Sequence, residues 1–256
     1  MRDVSPSLHA VIRLDAATVL LQWAAGGLLF CWLTVRNSEI GRGYTWLLHG
    51  IYAVMAAGSF AAGIALGAVP VREVASAIVF ALALLTVRRT PPHRLLLAPL
   101  IGGIGVVAGA LDASSGGWDS FVASYRVVIG AMFLGAITDA MLLGHWYLVQ
   151  PGMQRKLLKD LVDVMYWALP LEVIALLLPT GMVSVINGSI DDGWNGMLGW
   201  FWIACVVMTA VLVVVTKAAL KERSYSAVMA ATGLLYLAIL TAFGTDLVAR
   251  ATLAQG

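Results

Sequence analysis

Apolar stretches of about 20 residues recur along the chain, and they constrain its fold more than any other feature. A helix that crosses a bilayer needs about 20 mostly apolar residues at about 1.5 Å rise each. Eight stretches of the 256-residue chain meet or approach that length: 16–35, 45–67, 69–87, 95–111, 124–149, 158–178, 196–216 and 226–248. The third and fourth are short, and read as half-spans or a re-entrant pair they lower the count to six. The fifth is long enough to tilt or to project beyond the bilayer. The expected fold is therefore all-α, one polytopic transmembrane helix bundle over residues 1–256 with about eight spans.

Composition agrees. Hydrophobic residues make up 61% of the chain and charged residues 12%, with a mean hydropathy of +0.90. A soluble domain holds about 45–50% and 25% respectively, so lipid is the expected solvent and the bilayer the first partner. The expected location is the inner or plasma membrane of a cell, crossed many times. With connections of at most about 15 residues there is no room for a soluble catalytic domain.

Basic residues set the expected orientation, because Lys and Arg are retained on the cytoplasmic side. They gather at Arg36/Arg42, Arg88/Arg89/Arg94, Arg155/Lys156/Lys159 and Lys217/Lys221/Arg223, while 111–118 and 180–196 hold none. The alternation puts both termini on the outer side. Residues 1–15 carry charges and Pro6 without an apolar core ending in a cleavage site, so the first apolar run is expected to remain as a span. Two outer connections resemble each other, Ser114-Ser115-Gly116-Gly117-Trp118-Asp119 and Asp191-Asp192-Gly193-Trp194-Asn195. Each leads a tryptophan into the next helix, as interfacial anchors do.

Several functional classes are excluded. A net charge of +2 with scattered basic residues gives no nucleic-acid surface. Cys31 and Cys205 lie inside apolar runs with no CxxC, and CxxCH is absent, so no c-type haem attaches. No Walker A loop, HExxH or GxSxG occurs, and the residues assign no enzymatic activity. Lys217 and Lys221 fall at a helix end, which removes a retinal-type lysine.

Small residues are dense. Gly63 and Gly67 form a GxxxG on the second stretch, and Gly102, Gly103, Gly105 and Gly109 fall on the fourth, a composition that lets helices pack closely. Pro99 and Pro170 predict kinks.

Function in such a chain concentrates where polar groups enter hydrocarbon, since a charge at mid-bilayer costs at least about 2.5–3.5 kcal/mol. His49 and His145 each lie about 7–9 Å in from the cytoplasmic end of their helices. Trp46 and Tyr52 neighbour the first, Trp146 and Tyr147 the second. Two imidazoles at one depth suit the iron of a haem b or a quinone headgroup, with Trp46 and Tyr147 lining the pocket. Asp139 and Glu172 are the deepest acids, placed to meet near mid-bilayer as a proton relay. Arg13/Asp15, Arg72/Glu73, Asp119/Arg126 and Asp246/Arg250 read as pairs neutralised at the outer headgroup level.

These residues support an integral membrane subunit of a redox or respiratory-type complex, binding one haem b or a quinone near the cytoplasmic side beside other membrane subunits. The alternatives are a proton-coupled secondary transporter, carried by the acids and kinks, and a structural or assembly subunit without a ligand.

Overall fold

The computed structural model describes residues 15–36, 40–86, 92–150, 152–178 and 181–253. Among these, every regular element is a helix: α1 Ala16–Val35, α2 Arg42–Leu66, α3 Pro70–Leu85, α4 Pro92–Leu95, α5 Leu97–Asp112, α6 Gly117–Val149, α7 Arg155–Leu177, α8 Gly181–Ile186, α9 Met197–Ala219 and α10 Tyr225–Leu253. Long apolar runs explain the long helices, which carry glycines and Pro170 within them; α2 stops at Gly67, and charged or proline-containing connections follow α1, α6 and α9.

Six helical segments are long and apolar enough to cross a membrane: 16–35, 42–66, 93–112, 117–147, 197–219 and 225–253. The fold is thus that of a multi-pass membrane protein. Two of the eight expected stretches do not reach that standard. α3 has 16 residues, about 24 Å of helix, shorter than a hydrocarbon core of about 30 Å. α7 opens with Arg155, Lys156, Lys159, Asp160 and Asp163. The apolar boundary of the sixth stretch therefore starts too early at 158.

α1 and α6 occupy the centre. In each, 67% of the apolar window is buried, against 33–44% in the other four candidate spans. α1 packs against α2, α5 and α6, and α6 against α1, α5, α7 and α10. α3 closes the first half against α2 and α5, and α9 closes the second against α7 and α10. Between lipid-solvated helices no hydrophobic drive operates, so close backbone approach supplies the contact. A Cβ at Gly26 would collide with the Ala131 carbonyl, and one at Gly135 with the Gly26 backbone. This crossing was not among the glycine patterns expected from sequence. Gly102 and Gly105 do pack tightly, against Ala25 and Ala75, whereas Gly103 meets nothing.

The helices have two distinct ends. At one, Gly41 N donates to Gln150 Oε1 at 2.8 Å and Arg155 Nη1 to the Glu222 carbonyl at 3.1 Å, joining three connections. At the other lie the start of α1, the α2–α3 turn, the connection 113–116, α8 and the connection 187–196. Of the two prolines, only Pro170 is interior to a helix. Pro99 is the third residue of α5, in the first turn, where its missing N–H has no partner to lose. The run 93–112 is interrupted at Leu96, three residues before Pro99.

At the second end, Asp192 organises the entry to α9. Its Oδ1 accepts from Trp194 N at 2.9 Å and Gly196 N at 2.8 Å, and its Oδ2 from Leu198 N at 2.8 Å. Burial works to raise the pKa of this carboxyl. The N–H groups of Gly196, Trp194, Leu198 and Gly199 lower it by more, so it titrates below the usual carboxylate range.

Candidate functional site

Charge buried in an apolar bundle must be matched or must serve a ligand. At the end that holds Asp15 and the α2–α3 turn, three arginines are buried, Arg72 at 1%, Arg126 at 5% and Arg250 at 5% exposure. All three line one cavity of about 390 Å³, together with Asp15, Thr18, Gly67, Asp112 and Leu176. Small residues at Gly109, Ala110 and Ala123 leave this space open.

The three guanidiniums are held differently. Arg72 is saturated. It pairs with Asp15 through Nη1, donates from Nε to Glu73 Oε1 at 3.0 Å, and donates from Nη2 to Glu73 Oε1 at 2.6 Å and the Gly67 carbonyl at 2.7 Å. Asp15 also caps α1, accepting from Ala17 N at 3.1 Å and Thr18 Oγ1 at 2.6 Å. Gly63 is required here, because a Cβ would strike the Glu73 carboxylate. Arg250 donates from Nε to both oxygens of Asp246 at 3.0 Å, one turn back on α10, and from Nη2 to Gln22 Oε1 at 2.7 Å. Arg126 donates from Nε to the Ala175 carbonyl at 2.8 Å. No carboxylate among the described residues forms an ion pair with it.

Glu172, on α7 one turn before Leu176, is 2% exposed and its Oε2 has no hydrogen-bond partner. Its charged surroundings are Asp246 and Arg250 of α10 and Arg126 of α6. Gln22, fully buried on α1, has an unpartnered Nε2. Gly130 of α6 lies between the two: a Cβ there would press on Gln22 Nε2 and stand 3.5 Å from Glu172 Oε1. The result is a compact group from four helices, Gln22, Arg126, Glu172 and Arg250, with unused donors and an unused carboxyl oxygen beside a cavity.

Asp139 belongs to a separate place. It is fully buried, accepts from the Tyr52 hydroxyl through Oδ1, and leaves Oδ2 without a partner; Tyr44 donates to its carbonyl at 3.4 Å. Beside it Trp23 Nε1 donates to Thr138 Oγ1 at 2.7 Å. Nine residues separate Gly130 from Asp139 on α6, about 13 Å of helix. The two acids stand at different levels and face different helices, Asp139 toward α2 and Glu172 toward α6 and α10.

The histidines also part company. His49 is 1% exposed, with Nδ1 3.2 Å from the Ala83 carbonyl and 3.0 Å from Thr86 Oγ1, both at the end of α3. His145 is exposed and lies edge-on to the Tyr236 ring of α10, centroids 6.4 Å apart. No recorded contact joins them, and α1 packs against both α2 and α6, which barely meet. Trp46 is 54% exposed, and the Tyr147 hydroxyl is buried without a partner. Among the described residues no cluster of His, Cys, Asp and Glu suits a metal ion.

Of the charged pairs expected from sequence, Arg72 with Glu73 and Asp246 with Arg250 form, and both are enclosed by neighbouring helices. Asp15 pairs with Arg72, and Arg13 lies outside the described residues; Asp119 accepts from Ser115 and leaves Arg126 to the Ala175 carbonyl. Gln22, mid-way along an apolar helix, was the signal in the sequence that this end is polar inside. Comparison of the chain with protein families, curated proteins and solved structures finds no match, so the reading of the site rests on its own chemistry.

Proposed function

We propose that the chain is a proton-coupled secondary transporter, with the cavity at the Arg72/Arg126/Arg250 end as its solute site and Glu172 as the proton carrier. One observation carries this reading: a buried carboxyl with an unpartnered oxygen stands behind two incompletely bonded guanidiniums that line an open cavity. An intramembrane acid without a fixed partner is able to gain and lose a proton as its neighbours change. Pro170, two residues before Glu172, frees a carbonyl in α7 and gives that helix a place to bend.

In this reading α3 and α7 complete eight spans in the inner or plasma membrane. Exposed basic residues such as Arg42, Lys156 and Lys221 mark the cytoplasmic end, and the cavity opens on the outer side with both termini. Asp139, bonded by Tyr52 at another level, is a pin between α6 and α2 rather than a relay member. The haem or quinone reading asks for His49 and His145 together, and their contacts run to different helices. It is not the reading this geometry favours, and a featureless reduced-minus-oxidised spectrum of the purified protein is expected.

Reconstitution into liposomes containing a pH indicator tests the proposal. A panel of small polar solutes added outside is expected to include one that drives lumenal acidification, with Glu172→Gln abolishing the signal. Acidification unchanged in Glu172→Gln overturns it.

A further inference from the structure

The free donors at the site indicate the charge class of the solute. Arg72 has its edges filled by Asp15, Thr18, Gly67 and Glu73 and offers nothing. Arg126 has only Nε engaged, and Arg250 keeps Nη1 free of any recorded bond. Gln22 Nε2 is also unsatisfied but fully buried behind the cavity wall, beside Gly130. The two donors that reach the cavity come from α6 and α10. A guanidinium edge with free N–H groups, removed from water, matches a carboxylate or phosphate in planar, bidentate fashion.

Charge balance narrows the choice. Arg250 is neutralised by Asp246, and Arg126 has Glu172 as its nearest acid without a bond to it. With Glu172 protonated the group Arg126, Glu172, Arg250 and Asp246 carries one positive charge; with Glu172 ionised it carries none. The Arg72 group on the opposite wall, one guanidinium with Asp15 and Glu73, is negative by one, and Asp112 lines the cavity beside it. A second negative charge on the ligand would meet these carboxylates.

We infer, resting on the carrier reading above, that the cavity binds a small monoanionic carboxylate between Arg126 and Arg250, and that Glu172, behind them, takes up one proton as the anion arrives. The proton comes from water on the cavity side and replaces the field of the Glu172 carboxylate on Arg126 with that of the solute. Loaded and empty sites then carry the same charge, so the pair crosses without moving net charge.

Titration calorimetry on the purified protein in detergent tests this, with lactate as probe and phosphate and tetramethylammonium as comparisons. Repeating each titration in buffers of different ionisation heat counts protons. Wild type is expected to bind lactate more tightly at mildly acid than at mildly alkaline pH, with uptake of about one proton per lactate. Arg126→Lys, which keeps the charge but not the fork, is expected to weaken lactate at least about tenfold while eluting as wild type in gel filtration. Glu172→Gln is expected to bind lactate without proton uptake and with a flat pH profile. Lactate binding that is absent, unchanged in Arg126→Lys, or weaker than that of phosphate or tetramethylammonium overturns the inference. So does proton uptake that persists in Glu172→Gln. Should lactate bind as described while liposomes show no proton flux, the carrier reading falls and the anion site stands; should flux persist without lactate binding, the anion assignment falls alone.

Discussion

Arg72 and Arg126 differ in what surrounds them, and substitution will separate them. Removing Arg72 leaves the buried Glu73 and the half-buried Asp15 without a cation, and breaking a buried ion pair in this way costs about 3–5 kcal/mol, less the part that Asp15 recovers from solvent. Arg72→Ala is therefore expected to lower the melting temperature in detergent sharply, whereas Arg126→Gln, with no carboxylate bonded to it, is expected to fold and melt near wild type. Tyr52→Phe removes the donor to Asp139 in a dry setting and is expected to cost about 1–3 kcal/mol, without affecting proton flux. The sequence made Glu172 and Asp139 visible because acids are rare in apolar runs. It could not show which helix each would face, since that depends on rotation about axes set by distant packing. Arg72 and Arg250 were visible with their partners Glu73 and Asp246, but their enclosure with Arg126 was not: depth along a helix says how far a residue lies from its end, not whether neighbouring helices enclose that end.

The α1–α6 crossing is the element on which both halves close. Gly26→Ala and Gly135→Ala each place a methyl into facing backbone. Overpacking of this kind costs about 1–3 kcal/mol or more, and both variants are expected to lose folded yield. Gly103→Ala, where a Cβ meets nothing, is expected to be neutral in the same assay. The α8–α9 connection has its own pH dependence. The Asp192 carboxyl titrates below its ordinary value, so its contribution is complete above about pH 4 and is lost as pH falls through the lower folded value. The protection of the Leu198 N–H, its exchange rate relative to the intrinsic rate at the same pH, is expected to fall on acidification through that range and to be low at every pH in Asp192→Ala. The helices themselves were readable from apolar run length; α1 spans 16–35 as expected. The span boundary slipped where charge enters a helix, as at Arg155–Asp163 of α7: the stretch read from 158 takes in Lys159, Asp160 and Asp163, because the backbone stays helical through charges that an apolar span excludes.

At the scale of the molecule, two halves joined by α1 and α6 enclose a charged cavity at one end, and the opposite end carries the exposed basic residues. The all-helical bundle followed from the energetics of burying backbone in lipid, which admits little else. The cavity did not, because it is made by glycine and alanine where seven helices fail to fill space, and small residues give the same signal wherever they pack. The claim that joins fold to function is that Glu172 exchanges a proton with the cavity. The most direct measurement is solute-driven acidification of liposomes carrying wild type, Glu172→Gln or Asp139→Asn at equal protein content. The account predicts acidification with wild type and Asp139→Asn and none with Glu172→Gln. Equal rates in wild type and Glu172→Gln, or loss in Asp139→Asn alone, would contradict it.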